Sequence, residues 1–176
     1  FFVITSLLTF SPDILRAQGY PLREYGVVDG LPQSQIHAIF QDSRDFLWII
    51  TKNGLARFDG VDFINYLRRN GLPSNYLNSV MEDEAGIIWV VSAGGLSRYT
   101  GTGFEFFPAP DELKSQIFIN AVWYEGNHLV TSIDQSTGEL MLFTFMNGVY
   151  SDYTKRFPAI DTLPIIHAGL PGKSKE

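Results

Sequence analysis

The sequence predicts an all-β fold of four-stranded antiparallel blades, about three of them, arranged as an incomplete β-propeller. Three observations carry this: a turn-rich composition, an internal repeat, and three hairpin signals inside each copy. The 176 residues include 16 Gly, 9 Pro and 14% aromatics, which suits strands joined by tight turns better than a helical bundle. Apolar residues at 45% against charged residues at 18% permit a packed core and exclude disorder as the main state. The net charge of −6 opposes a nucleic-acid partner, which requires a basic face. The absence of cysteine removes disulfides, thiolate metal sites and thiol nucleophiles.

Internal repetition organises the chain. Residues 30–66 align with residues 71–107 at a constant offset of 41, without a gap. Ten positions are identical: Gly30/Gly71, Leu31/Leu72, Pro32/Pro73, Asp42/Asp83, Trp48/Trp89, Gly54/Gly95, Leu55/Leu96, Arg57/Arg98, Gly60/Gly101 and Phe63/Phe104. Chance at average composition gives about two or three. Within the unit, Ile36–Gln41 reads as the first strand and Asp42–Asp45 as a turn with side-chain caps. Phe46–Thr51 is a continuous apolar run, the mark of a strand buried on both faces. Asn53-Gly54 signals a hairpin, Leu55–Phe58 a third strand, Asp59-Gly60 a second hairpin and Val61–Tyr66 a fourth strand. The second copy repeats the scheme, with turns at Asp83–Gly86, Gly94-Gly95 and Thr100-Gly101. Four strands in about forty residues is the content of one propeller blade.

The repeated side chains have structural work in this fold. Trp48 and Trp89 fill the gap between adjacent blades, Gly54 and Gly95 supply turn geometry, and Arg57 and Arg98 are candidates to pair with carboxylates such as Asp42 or Asp83. A degraded third copy follows: strands over Phe118–Tyr124, His128–Ile133, Glu139–Phe145 and Val149–Tyr153, with turns at Glu125–Asn127, Asp134–Gly138 and Asn147-Gly148. The expected organisation is blade one over 30–70, blade two over 71–111, blade three over 112–155, and the start of a next repeat or a linker over 156–176. A lead-in strand is expected over 18–29. Residues 1–17 open with FFVITSLLTF, seven apolar residues in ten, too short for a membrane span and suited to a clipped signal peptide. A buried first strand is the competing reading. A ring needs at least four blades, so the expectation is a piece of a larger wheel.

The opener Gly-Leu-Pro, the run Gln-Asp-Ser-Arg-Asp-Phe-Leu-Trp-Ile and the closing Asn-Gly-Leu-Ala-Arg-Phe-Asp-Gly resemble the two-component regulator propeller repeat. The second copy, from Gly71-Leu72-Pro73 through Asp83, Gly86 and Trp89 to Gly95-Leu96-Ser97-Arg98-Tyr99, resembles it equally. The sequence departs from the family pattern at Asp45 and Ile50, where Gly is usual. The resemblance implies an extracytoplasmic input segment of a histidine kinase or hybrid sensor that detects glycan fragments. Kinase, membrane helix and phospho-accepting His would lie in other parts of the protein. Its implied partners are an oligosaccharide ligand, the remaining blades and the downstream signalling domains; a homodimer is a further candidate partner.

No catalytic constellation is legible. His37, His128 and His167 match no metal-ligand spacing, and His37 reads as a packed or channel-lining strand residue. The acidic cluster Asp42, Asp45, Glu82, Asp83 and Glu84 lacks the order of a calcium loop and reads as turn capping. No nucleophile elbow or phosphate loop is present. No metal or cofactor and no catalytic activity are therefore expected of this segment. A ligand is expected at the loops entering each blade and joining its second and third strands. Those loops offer Gln33, Lys52, Asn53, Arg68, Arg69, Asn70, Asn75 and Tyr76, donors plus one aromatic, suited to sugar hydroxyls and acidic groups. Ordinary solvated loops are the competing reading. A fragment of a secreted propeller enzyme acting on polysaccharide, or a protein-interaction scaffold, is the alternative function.

Overall fold

The computed structural model describes residues 22–154. The proposed signal segment and the segment from 155 onward lie outside them. The described residues form three four-stranded antiparallel sheets, each a simple meander in chain order. The first holds β1 (Ile36–Gln41), β2 (Leu47–Thr51), β3 (Gly54–Phe58) and β4 (Phe63–Tyr66). The second holds β5 (Ser79–Glu82), β6 (Ile88–Ser92), β7 (Gly95–Tyr99) and β8 (Phe104–Pro108). The third holds β9 (Gln116–Tyr124), β10 (Asn127–Asp134), β11 (Leu140–Met146) and β12 (Val149–Asp152). These sheets are the three blades read from the sequence, and together they do not close a ring.

The local chemistry explains each bend. Asp42 Oδ1 accepts the Arg44 and Phe46 N–H groups, and Asp83 Oδ1 accepts those of Ala85 and Ile87, so one carboxylate closes each first turn. Asp45 occupies the left-handed region at φ +67°, where its counterpart Gly86 sits at +75°. Asp tolerates that region better than most residues, which accounts for the departure from the family's Gly. Ile50, the other departure, is fully buried in the core and needs no glycine. The β2–β3 loop is Lys52-Asn53, one residue earlier than the Asn-Gly signal, and Gly54 opens β3 at φ +111°. In the third sheet, Glu125-Gly126 and Asn147-Gly148 have positive φ at both positions, the mirror-image turn that matches strand twist.

Successive sheets stack face to face, so the middle sheet is packed on both faces. Trp48, Ile50, Leu55 and Tyr66 of the first sheet pack against Leu72, Leu77, Val80, Ile88, Val90 and Phe104 of the second blade. Trp89, Val91 and Leu96 of the second sheet pack against Phe118, Ala121, Val130, Phe143 and Phe145 of the third. Both tryptophans therefore fill the seam ahead of their own blade, as their place in the apolar run predicts.

The lead-in departs from expectation. Residues 22–26 form no strand, and Val27–Asp29 is a single 3-10 turn closed by Gly30 at φ +114°. Arg68–Asn70 repeats this turn before Gly71. The turn forms because Asp29 Oδ2 accepts the Gly26 N–H and Asn70 Oδ1 accepts the Leu67 N–H. Tyr25 stands with its ring 4.9 Å from Phe58 and 5.7 Å from Phe63, on the rear face of the first sheet made by Leu31, Ile49, Ala56 and Phe58.

Candidate functional site

The loop end of the first two blades gathers most of the residues nominated above. The Lys52-Asn53 turn is tied to the incoming link by the Lys52 N–H donating to the Gln35 carbonyl at 3.1 Å. Gln33 Oε1 caps that link by accepting the Gln35 N–H. Asn75 joins the next link to the same turn: its Nδ2 donates to Asn53 Oδ1 at 3.0 Å and its Oδ1 accepts the Arg68 N–H at 3.2 Å. Asn70 caps the intervening 3-10 turn. The amides of Gln33, Asn53, Asn70 and Asn75 thus build the loops. Among the described residues, Lys52, Arg68 and Arg69 take part in no ion pair, and the Tyr76 ring is largely exposed. This end carries three cations in a chain of net charge −6, with an aromatic surface beside them.

Two expectations are corrected on the blade itself. Arg57 and Arg98 do not pair with Asp42 or Asp83. Arg57 lies over the Phe46 ring at 4.5 Å and donates from Nη1 to the Tyr99 hydroxyl at 3.4 Å; Arg98 pairs with Glu105 at 2.7 Å. The carboxylates instead accept the indole N–H groups, Trp48 to Asp42 Oδ2 and Trp89 to Asp83 Oδ2, each at 2.8 Å. Sequence reasoning missed this pair. Its signal was present as an Asp and a Trp six residues apart in both copies. His37 is exposed on β1, so it is not packed.

Burial and its bond to Tyr99 push the Tyr66 phenol up. The Ser136 and Ser115 hydroxyls, with backbone N–H groups, hold the Asp134 carboxyl well below its usual range. Among the described residues no group of three His, Cys, Asp or Glu side chains is placed to hold a metal. No described helix is long and apolar enough to cross a membrane.

Meandering four-stranded sheets, aromatic seams and a polar loop end define the class: a β-propeller module. More particularly, residues 30–53 match the model of the two component regulator propeller family, so the first blade carries a repeat of that family. The fold is similar to a solved extracellular domain of B. thetaiotaomicron described as belonging to a hybrid two component system, BT3049, at 22% identity and TM-score 0.52, over 68% of this chain and 17% of that one. It is also similar to the extracellular domain of BT4673 from the same organism, described both as a one component and as a hybrid two component system. There the identity is 16% and the TM-score 0.53 or 0.51, over 73% of this chain and 18% of that one. The chain spans less than a fifth of those structures. No curated protein matches it.

Proposed function

We propose that this chain is an extracytoplasmic sensing segment of a two-component signal transduction protein, carried to that side by a signal peptide. Its loop end receives a glycan-derived ligand, and the segment itself does no chemistry; a downstream kinase reads the result. The single observation that carries the reading is the family repeat at residues 30–53, and the similarity to extracellular domains agrees with it. The loop end supports the ligand class. Lys52, Arg68 and Arg69 suit uronate carboxylates, and exposed Tyr76 offers a platform for a sugar face.

Calorimetric titration of the full protein with oligogalacturonate and cello-oligosaccharide panels tests this. Saturable binding without turnover is expected, weakened about tenfold by Arg68→Ala, the loss of one charge-assisted contact. Hydrolysis or elimination of any panel member overturns the non-enzymatic reading. Silence of the whole panel overturns the carbohydrate reading.

A further inference from the structure

The two seams between blades are built from corresponding positions but are finished differently. In the first, the Tyr66 and Tyr99 rings meet with centroids 5.5 Å apart and their hydroxyls are 2.9 Å apart. Arg57 adds its bond to the Tyr99 hydroxyl. In the second, Phe107 stands at the Tyr66 position by the 41-residue offset, and Phe145 stands at the Tyr99 position by strand register. Phe145 pairs with Tyr150 as Tyr99 pairs with Phe104. The Phe107 and Phe145 centroids are again 5.5 Å apart, with both hydroxyls missing. Arg98 has lost that partner and turns to Glu105.

A second change coincides. Gly86–Ser92 aligns with Gly126–Ser132 at an offset of 40, so His128 replaces Ile88, a fully buried member of the first seam. His128 lies 4.2 Å from Trp89 and 4.9 Å from Trp123, centroid to centroid, and is 95% buried, from a relative exposure of 5%. Its Nδ1 donates to the Phe145 carbonyl at 3.3 Å, since a carbonyl can only accept. Burial pushes the imidazole below its ordinary pKa and keeps it neutral at pH 7. Nε2 is then an acceptor, and it has no partner. Buried polar atoms in folded proteins are normally satisfied, so an orphan acceptor needs an explanation.

The second seam is also open. A cleft of about 350 Å³ runs between the second and third blades at the turn end carrying Gly126 and Gly148, opposite the loop end described above. Its walls are aromatic: Trp89, Phe107 and Trp123. Its polar groups are the Arg98–Glu105 pair, Asn147 and His128. Such a lining wants a small molecule with apolar faces whose edge carries groups that both donate and accept. Arg98 can only donate, Glu105 can only accept, and neutral His128 with this tautomer must be given a proton donor. A ring bearing several hydroxyls meets all three demands at once.

We propose that this inter-blade cleft is a binding site for a single pyranose-sized polyhydroxylated ring, distinct from the loop end, with His128 as its buried acceptor. The proposal rests on the reading that the ligand is a carbohydrate.

The protein itself supplies the reporters. Fluorotryptophan incorporated into the full chain gives resonances for Trp48, Trp89 and Trp123, assigned by single Trp→Phe variants. Methyl β-D-glucopyranoside and methyl β-D-galactopyranoside are the probes, with calorimetry run in parallel. Saturable shifts of Trp89 and Trp123 with Trp48 unmoved are expected. His128→Ile should weaken binding about tenfold, the loss of one buried hydrogen bond. The double variant Phe107→Tyr/Phe145→Tyr rebuilds the first seam's hydroxyl pair and should abolish binding while keeping the unfolding midpoint. Binding seen by calorimetry with Trp89 and Trp123 unmoved overturns the cleft and leaves the carbohydrate reading standing. Unchanged affinity in the double Tyr variant also overturns it. If oligogalacturonate binds and neither glycoside does, the cleft falls alone; if nothing binds, the carbohydrate reading falls and takes the cleft with it.

Discussion

Asp42 commits both carboxylate oxygens to its own blade. One closes the first turn and the other accepts the Trp48 indole N–H inside the seam. Asp83 does the same in the second blade. Removing the acceptor leaves a buried N–H unsatisfied, at a cost of about 1–3 kcal/mol, with the loss of the turn added. Asp42→Ala is therefore expected to lower stability by roughly 2–3 kcal/mol, read as a shift in the urea midpoint. Asp59→Ala, which removes an exposed turn acceptor only, should cost well under half as much. The Asp–Trp bond was hard to see in the sequence because a turn separates the partners. Six residues apart on a hairpin they touch, whereas opposite charge directs attention to the two arginines, 15 residues beyond each Asp. Those arginines found aromatic and carboxylate partners on their neighbours, one of them across a seam.

Glycine positions show how tightly the elements are fitted. Gly71 closes the 3-10 turn before the second blade at φ +95°, and a Cβ there would lie 1.9 Å from the Phe104 carbonyl oxygen. Gly60 has a similar φ of +99° with nothing within 4 Å of that position. Left-handed backbone costs an L-residue about 1–2 kcal/mol. Gly60→Ala should therefore show that cost alone, while Gly71→Ala adds displacement of β8 backbone and should exceed it by at least about 1 kcal/mol. Thermal unfolding of both variants checks the difference. The strands were legible for a related reason. An ungapped repeat places every turn signal twice, so Asp42–Asp45 and Asp83–Gly86 support each other. The 3-10 turn of the lead-in recurs at Arg68–Asn70 without a shared residue identity, and there a strand was expected where that turn stands.

At the level of the whole molecule, the second and third blades meet across a seam that holds His128, which makes that seam sensitive to acid. Its folded pKa lies below its ordinary value because burial disfavours the charged form, although Asp83 and the Phe145 carbonyl oppose the shift. The unfolded chain, with a pKa of about 6.5, binds the proton first. Its contribution to stability is thus full well above that value and is lost as pH falls through it toward the lowered folded value. The urea midpoint of the wild-type protein should fall over this range by more than that of His128→Ile. Asp134 contributes in a separate window: its lowered pKa makes its share fade only below about pH 4. Of the candidate sites, the loop end was legible because its polar residues cluster in the chain, as Asn53 with Lys52 and Arg68 with Asn70. The cleft was not, because its members come from two blades and its defining feature is a pair of hydroxyls that Phe107 and Phe145 lack. The tryptophans also give the structure a polarity. Trp48 and Trp89 both project toward the unit that follows, and each is received by a rear surface made of the same positions. Copies joined this way form head-to-tail contacts, so a duplicated unit finds a ready socket on either side while a reversed one finds none, and such an array can lengthen by whole copies without redesigning any joint.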